Sequence, residues 1–272
     1  MSKYSTKWLK VSVPVPHVLH VELSRSPVNA FSSEYWREYG RLFETLIGAH
    51  AAGEDIRALV VSSAISKMFT AGLDLHSATD LASAASDTKH DRARASLALR
   101  KTILEFQKAI GIGLGVDIIA ACDIRYAASN ATFSIKEVDV GLAPDIGTLA
   151  HLPKVMGNLS AVRELTYTGR FFSAAEAQSF GLVSRVVEGG HDAVVAAALE
   201  LARVIAAKSP VAVTGAKHLI NHARDHSVKD NLSYTATWNA AALMTSDISE
   251  NVQAMAAKRP PKFTSLGVPS KL

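Results

Sequence analysis

The sequence predicts a protein of the α/β class, and three observations support this. Two short apolar strands over residues 10–23 are followed by an amphipathic helix over residues 32–52 and a buried strand over residues 56–63. This β-α-β order favours a sheet covered by helices. From Leu152 onwards the pattern becomes mostly helical. The 272 residues, 48% of them hydrophobic, suffice for a substantial core.

The helix over residues 32–52 has clear boundary signals. The run Ser32-Ser33-Glu34 supplies an N-cap and an early acid, and Gly53 ends the helix. A second long helix is predicted over residues 87–110. The later elements are a helix over residues 160–167, a capping box at residues 173–176, a strand over residues 184–187, and helices over residues 193–207, 211–223, 232–243 and 248–258.

The composition disfavours several classes of function. The formal net charge is +4, but no long basic run with interleaved aromatic residues is present, so nucleic acid is not an expected partner. The lone Cys122 excludes an internal disulfide and a cysteine cluster. The ten histidines lack HxH and HExxH spacing, so we expect no metal site. No apolar run reaches the roughly 18 residues that a membrane span needs.

Two glycine-containing turns are candidate binding sites for an anion. The first lies in residues 67–75, after the predicted strand, and the second is the Gly-Ile-Gly-Leu-Gly run of residues 111–115. Backbone N–H groups at such turns can face an anion, whereas a plain strand-to-helix connection is the alternative. The second turn does not fit a dinucleotide site, because no strand directly precedes it.

Three acidic residues are candidate catalytic groups. Asp117 lies in an apolar run, and Glu137 and Asp145 follow twenty and twenty-eight residues later. A carboxylate in apolar surroundings is costly unless it is paired or neutralised, and proteins keep such groups mainly at functional sites. Structural salt bridges are the alternative reading of the three acids.

The chain ends in Ser270, Lys271 and Leu272. A C-terminal Ser-Lys-Leu is the peroxisomal address, which an import receptor reads. The first sixteen residues have neither an apolar signal core nor an arginine-rich amphipathic pattern. We therefore expect a peroxisomal protein with the import receptor as a partner.

Three segments together resemble the crotonase (enoyl-CoA hydratase/isomerase) superfamily. They are residues 67–75, residues 115–125 and residues 171–183, and the resemblance extends over roughly residues 10–266. It implies a ββα spiral core in residues 1–200, which holds CoA and the active site. It also implies a C-terminal helical region in residues 201–272, through which the chain forms a homotrimer or homohexamer.

Within the superfamily, the three acids resemble the delta-3,5-delta-2,4-dienoyl-CoA isomerase branch. Hydratases of the superfamily carry Glu at the position of Asp117. The resemblance implies isomerisation of 3,5-dienoyl-CoA to 2,4-dienoyl-CoA in the β-oxidation of unsaturated fatty acids. An enoyl-CoA hydratase or a Δ3,Δ2-enoyl-CoA isomerase is the alternative within the superfamily.

The resemblance also implies roles for individual residues. The backbone N–H groups of Leu73 and Leu114 form an oxyanion hole for the thioester enolate. Glu137 and Asp145 shuttle the proton, in an unassigned direction, and Asp117 positions the diene. No metal or redox cofactor is expected, and coenzyme A is part of the substrate. The residues expected to contact the acyl-CoA are Arg25, Val28, Ala71, Gly72, Leu73, Asp74, Gly115, Lys258 and Lys262.

One departure from the superfamily pattern lies before Gly111. An apolar strand is expected between the long helix and the second glycine turn, but here residues 105–110 lead directly into Gly111. About 15–20 residues, the length of one strand and its approach, are missing from the pattern. Loss of a central strand is expected to be strongly destabilising. An inactive CoA-binding isoform is therefore a third hypothesis.

Overall fold

The computed structural model describes residues 2–74 and 115–266, together with residues 96–97, 100–101, 103–104 and 107 between them. The described residues between 96 and 107 are helical, in agreement with part of the helix predicted over residues 87–110. The junction before Gly111, where a strand is predicted to be missing, lies outside the described residues.

The N-terminal elements follow the predicted order. They are β1 (Leu9–Val15), β2 (Val18–Leu23), α1 (Ser33–Ala51) and β3 (Ala58–Ser63), and the strands form a sheet in the order β1-β2-β3. The hydroxyl of Ser32 accepts a hydrogen bond from the N–H of Tyr35 at 3.3 Å, as expected of an N-cap.

The second half of the described chain is mainly helical, as predicted. Its elements are α2 (Val116–Ala121), β4 (Tyr126–Ala128), β5 (Thr132–Phe133), a 3-10 helix (Glu137–Val140), α3 (Thr148–Val155), α4 (Leu159–Thr168), β6 (Phe172–Ser173), α5 (Ala174–Ser179), β7 (Arg185–Val187), α6 (Gly190–Ala206), α7 (Pro210–Ala223), α8 (Val228–Ala242) and α9 (Asp247–Ala256). Helix α8 begins four residues earlier than predicted, because the side chain of Ser227 accepts from the N–H of Asp230 and caps it.

Internal contacts divide the chain into two compact units. The first comprises Met1–Ser12, His20–Thr45 and Val61–Ala198, and the second comprises Val13–Leu19, Leu46–Val60 and Leu199–Leu272. All three candidate catalytic acids belong to the first unit.

The core of the first unit holds helix α2 in place. Val116 and Ala120 of α2 are buried in one cluster with Leu152 of α3, Leu165 of α4 and Leu182. Helix α2 packs against α3, β4 pairs with β7 in parallel, and β5 pairs with β6 in antiparallel. Burial of these apolar side chains fixes the start of α2, where Asp117 lies.

In the second unit, the half-buried Arg57 joins several segments. Its guanidinium forms two 2.8 Å bonds to the carboxylate of Asp55. It also donates to the carbonyl oxygens of Ala206, at 3.1 Å, and Phe263, at 2.9 Å. The hydrogen bonds to Arg57 are the main cause that lowers the pKa of Asp55. Arg57 therefore anchors the segment that follows α9.

Candidate active site

In the first glycine turn, the backbone N–H of Leu73 has no partner among the described residues. Leu73 forms a single parallel bridge with Phe31, in which the N–H of Phe31 donates to the carbonyl of Gly72 at 2.8 Å and the N–H of Asp74 donates to the carbonyl of Phe31 at 3.0 Å. The residue in the middle of such a bridge directs its own N–H to the other side. The geometry therefore agrees with the role predicted for the Leu73 N–H.

The second glycine turn lies beside the first. A Cβ atom built on Gly115 would be 3.5 Å from the Cγ2 atom of Thr70, so the two turns are in contact distance. Gly115 has φ +54° and Gly72 has φ +91°, a region that favours glycine. Leu114, the second predicted oxyanion donor, lies outside the described residues.

Asp117 is buried in the first turn of α2 and is only 2% exposed. Both the backbone N–H and the hydroxyl of Thr148, the first residue of α3, donate to its Oδ1 atom. The start of a helix has unpaired N–H groups and a partial positive charge, which stabilise a carboxylate. The packing of α2 on α3 therefore supplies the polar partner that this buried acid requires.

Glu137 is the half-buried first residue of the 3-10 helix. Its Oε2 atom is buried and has no hydrogen-bond partner among the described residues. Burial raises the pKa of Glu137, a hydrogen bond from its own backbone N–H opposes this, and the negative charges of Asp117 and Asp145 raise the pKa further. The structure thus places Asp117 and Asp145 within electrostatic range of Glu137.

Asp145 differs from the other two acids because its side chain is exposed. It lies in the loop before α3, and its backbone carbonyl accepts a hydrogen bond from the Nε2 atom of Gln107 at 2.5 Å. The three acids therefore span a gradient from the buried Asp117 through the half-buried Glu137 to the exposed Asp145. Burial and the two neighbouring charges thus favour the protonated form of Glu137 more than in a solvated carboxyl.

The residues predicted to contact acyl-CoA near the first turn form bonds among themselves. The guanidinium of Arg25 pairs with the carboxylate of Asp74 at 2.9 Å and also donates to the carbonyl of Ala30. The N–H of Ala71 donates to the carbonyl of Val28 at 2.9 Å. These bonds join the loop after β2 to the first glycine turn, and substrate contact by these residues stays a prediction.

Lys258 and Lys262 belong to the second unit, and both side chains are exposed. The backbone N–H of Lys262 donates to the Oε1 atom of Glu250 at 2.7 Å. Ser270, Lys271 and Leu272 lie outside the described residues. The described ranges contain no cluster of three or more His, Cys, Asp or Glu side chains able to hold a metal ion. Their helices include none long and apolar enough to cross a membrane.

Comparison with known proteins decides the family. Residues 16–266 match the family model of enoyl-CoA hydratase/isomerase. The chain belongs to the enoyl-CoA hydratase/isomerase family. The solved structure of an enoyl-CoA hydratase from Bacillus anthracis is similar to the chain with a TM-score of 0.77 and 25% identity, and the match covers 95% of this chain and 100% of that one. The predicted family and α/β fold class are both confirmed.

Relatives within the family carry a more specific name. The chain is 43% identical to the mouse protein "Delta(3,5)-Delta(2,4)-dienoyl-CoA isomerase, mitochondrial", with 96% of this chain and 83% of the relative covered. It is 38% identical to the Arabidopsis thaliana protein "Delta(3,5)-Delta(2,4)-dienoyl-CoA isomerase, peroxisomal", with 92% and 93% covered. The branch predicted from the three acids is the branch of these family members.

The same alignments contain positions that this chain lacks. The alignment with the mouse relative extends over 281 residues, whereas 96% of this chain is about 261 residues, so about 20 positions are unmatched. The Arabidopsis alignment extends over 267 residues against about 250, which leaves about 17. The number of unmatched positions is similar to the number of residues predicted to be missing before Gly111.

Three residues that support the site were not predicted from the sequence. Thr148 is the partner of Asp117, and Asn29 and Thr70 bond to the first glycine turn. Asn29 has φ +50°, a conformation that Asn tolerates better than most residues. The Val-Asn-Ala sequence indicates a loop around Asn29, but it does not identify the residues to which Asn29 bonds.

Proposed function

We propose that this chain catalyses the isomerisation of 3,5-dienoyl-CoA to 2,4-dienoyl-CoA. The observation that carries the proposal is Glu137, a half-buried carboxyl whose pKa is raised by burial and by the charges of Asp117 and Asp145. A raised pKa makes a carboxyl a stronger base and brings it closer to what a general acid or base requires. Membership of the family and the names of the relatives support the same reaction.

The proposed reaction moves one proton along a conjugated chain. One carboxylate removes a proton from C2, and the C3=C4 and C5=C6 double bonds become C2=C3 and C4=C5. A protonated carboxyl then delivers one proton to C6, so atoms and charge balance without a metal or redox cofactor. We assign the shuttle to Glu137 and Asp145 with no preferred direction, and we assign Asp117 to positioning of the diene.

Removal of the C2 proton places negative charge on the thioester oxygen. The Leu73 N–H has no partner among the described residues, so it is available to stabilise this charge. One such donor contributes about 3–4 kcal/mol to transition-state stabilisation in other oxyanion holes. We assign the second donor to Leu114.

The direct test is turnover by the purified full-length chain. The 2,4-diene is conjugated with the thioester carbonyl and the 3,5-diene is not, so the reaction produces a new absorbance at longer wavelength. A hydratase would instead remove the absorbance of a 2-enoyl-CoA. Turnover of the 2-enoyl-CoA without turnover of the 3,5-dienoyl-CoA would contradict this proposal and indicate that the chain is a hydratase.

The pH dependence of activity should report the charge of Asp117. The variant Asp117→Asn removes one of the charges that raise the pKa of Glu137, so that pKa falls. If Glu137 is the base, the acid limb of the kcat/KM profile moves to lower pH; if it is the acid, the basic limb does so. In both cases the affected limb of the kcat/KM profile moves to lower pH. An unchanged profile in this variant would show that Asp117 does not act on Glu137.

We propose that the chain is peroxisomal. The support is the Ser-Lys-Leu end and the peroxisomal Arabidopsis relative, although the mouse relative is named mitochondrial. A fusion with a fluorescent protein at the N-terminus is expected to co-localise with peroxisomes, and deletion of residues 270–272 is expected to abolish this. Mitochondrial fluorescence of both fusions would contradict the proposal.

We also propose a homotrimer or homohexamer that forms through residues 201–272, with residues 1–200 as the catalytic core. In support, apolar side chains of α8 and the residues after it are strongly exposed in the single chain, as Val228, Met244 and Met255 show with 78%, 91% and 72% exposure. The molar mass from light scattering distinguishes the two assemblies from a monomer.

One observation favours a second candidate, an inactive CoA-binding isoform. The alignments with the isomerases contain about 17–20 positions without a residue of this chain. Net stability of a domain is only about 5–15 kcal/mol, so loss of a core strand would severely reduce it. Binding of an acyl-CoA without turnover of either substrate would support this candidate, and turnover by the soluble full-length chain would exclude it.

A further inference from the structure

The first glycine turn is fixed by a buried network that starts at Asn29. Asn29 is 0% exposed, and its side-chain amide donates to the hydroxyl of Ser63 and to the carbonyl of Phe69, both at 2.9 Å. Its side-chain oxygen accepts from the N–H of Arg25 at 2.7 Å. The bonds to Ser63 and Phe69 tie the loop after β2 to the end of β3 and to the residues that follow it, and the bond from Arg25 lies within the loop itself.

Thr70 carries this network into the turn. Its hydroxyl donates to the backbone carbonyl of Asn29 at 2.7 Å and accepts from the N–H of Gly72 at 3.0 Å. The hydroxyl therefore acts as a donor to Asn29 and as an acceptor from Gly72. Its methyl group faces Gly115 of the second turn. One side chain thus has two separable contacts, a polar one within its own turn and an apolar one towards the neighbouring turn.

The orientation of Gly72 determines that of the next N–H. The carbonyl of Gly72 and the N–H of Leu73 belong to the same planar trans peptide, so they point in opposite directions. The Gly72 carbonyl accepts from Phe31, and the Leu73 N–H therefore points away from Phe31. Bonds on both sides of this peptide, at Gly72 and at Asp74, leave it little freedom to rotate.

We propose that Thr70, anchored on Asn29, is a positioning residue that aims the Leu73 N–H at the thioester oxygen. This inference rests on the proposed function, because it concerns the oxyanion donor of that reaction. Thr70 acts through Gly72 and does not contact the substrate. Thr70 holds the Leu73 N–H in place before negative charge develops on the thioester oxygen. An oxyanion hole stabilises the transition state because its donors are already oriented in this way.

The variant Thr70→Val tests the hydroxyl, because valine keeps the methyl contact with Gly115 and leaves the Gly72 N–H without its partner. We expect kcat for 3,5-dienoyl-CoA to fall by about 10–100-fold, with KM changed by less than about threefold, since a displaced donor weakens transition-state binding more than ground-state binding. Thr70→Ser keeps the hydroxyl and loses the methyl group. It should retain kcat within about threefold of the unmodified chain.

A second readout does not depend on turnover. Acetoacetyl-CoA ionises to an enolate whose ultraviolet absorbance differs from that of the keto form, and an oxyanion donor favours the enolate. At saturating analogue, Thr70→Val should bind a smaller enolate fraction than Thr70→Ser and the unmodified chain. Thermal unfolding identifies any variant that is not folded, and Thr70→Ala replaces Thr70→Val in that case.

The outcomes separate the two proposals. Equal losses in Thr70→Val and Thr70→Ser, or normal kcat and a normal enolate fraction in Thr70→Val, would overturn the positioning role. An enolate difference between the variants, in a chain that does not isomerise 3,5-dienoyl-CoA, would support the positioning role and reject the proposed function.

Discussion

Replacement of Glu137 with glutamine is expected to lower kcat for 3,5-dienoyl-CoA isomerisation by about 10²–10⁴-fold, the usual contribution of a general acid or base. Glutamine has nearly the same shape but cannot take up or release the proton. Because Glu137 is half-buried and its Oε2 atom has no hydrogen-bond partner among the described residues, the change should disturb few contacts. Steady-state kinetics on the purified chain, followed by the absorbance of the 2,4-diene, measure the effect.

The matched control is Asp139→Asn, two residues further along the same 3-10 helix. The carboxylate of Asp139 is exposed and pairs with Lys136 at 2.9 Å, so its replacement should leave kcat nearly unchanged. Similar losses in both variants would assign the effect to the helix rather than to the Glu137 proton. Full activity of Glu137→Gln would remove Glu137 from the mechanism.

The variant Asp145→Asn is expected to lower kcat by at least about 10²-fold, because it removes the second carboxyl of the proposed shuttle. This side chain is exposed, and the bond from Gln107 is made to its backbone carbonyl, so asparagine should preserve the loop. The exposed Asp123, which follows α2, provides a control as Asp123→Asn with unchanged kcat.

Deuterium exchange in heavy water then gives the direction of the shuttle. The variant that lacks the C2 base should lose both exchange at C2 and isomerisation. The variant that lacks the C6 acid should retain exchange at C2 while it loses isomerisation. Therefore exactly one of Glu137→Gln and Asp145→Asn should exchange its C2 protons, as measured by mass spectrometry of the recovered thioester. Retention of C2 exchange by both variants would contradict a two-residue shuttle.

Features specified by neighbouring residues could be predicted from the sequence. The capping box at the start of α5 is an example: Ser173 and Glu176 are three residues apart, and their reciprocal bonds form as predicted. The burial of Asp117 was also predictable, since apolar residues follow it directly. In both cases the determining groups lie within one helical turn, so the pattern contains the necessary information.

Features that depend on packing could not be predicted in this way. Thr148 lies 31 residues after Asp117 and becomes its partner only because α2 packs on α3. The pairing of the Arg25 guanidinium with Asp74, 49 residues away, likewise depends on the fold, and the contact of Arg25 with acyl-CoA stays a prediction. Nor does any local pattern connect Asn29 with Phe69. A charged or polar residue type indicates that a partner is needed, and the tertiary fold decides which partner it finds.

The one-residue bridge between Phe31 and Leu73 has a consequence for how an acyl group is recognised. In a parallel sheet, a strand bonded on one side offers its alternate N–H groups to a further strand on the other side. Here the Leu73 N–H holds that position. In the proposed reaction, a thioester oxygen that accepts from this N–H would take the position that a carbonyl oxygen of a neighbouring strand has in a sheet.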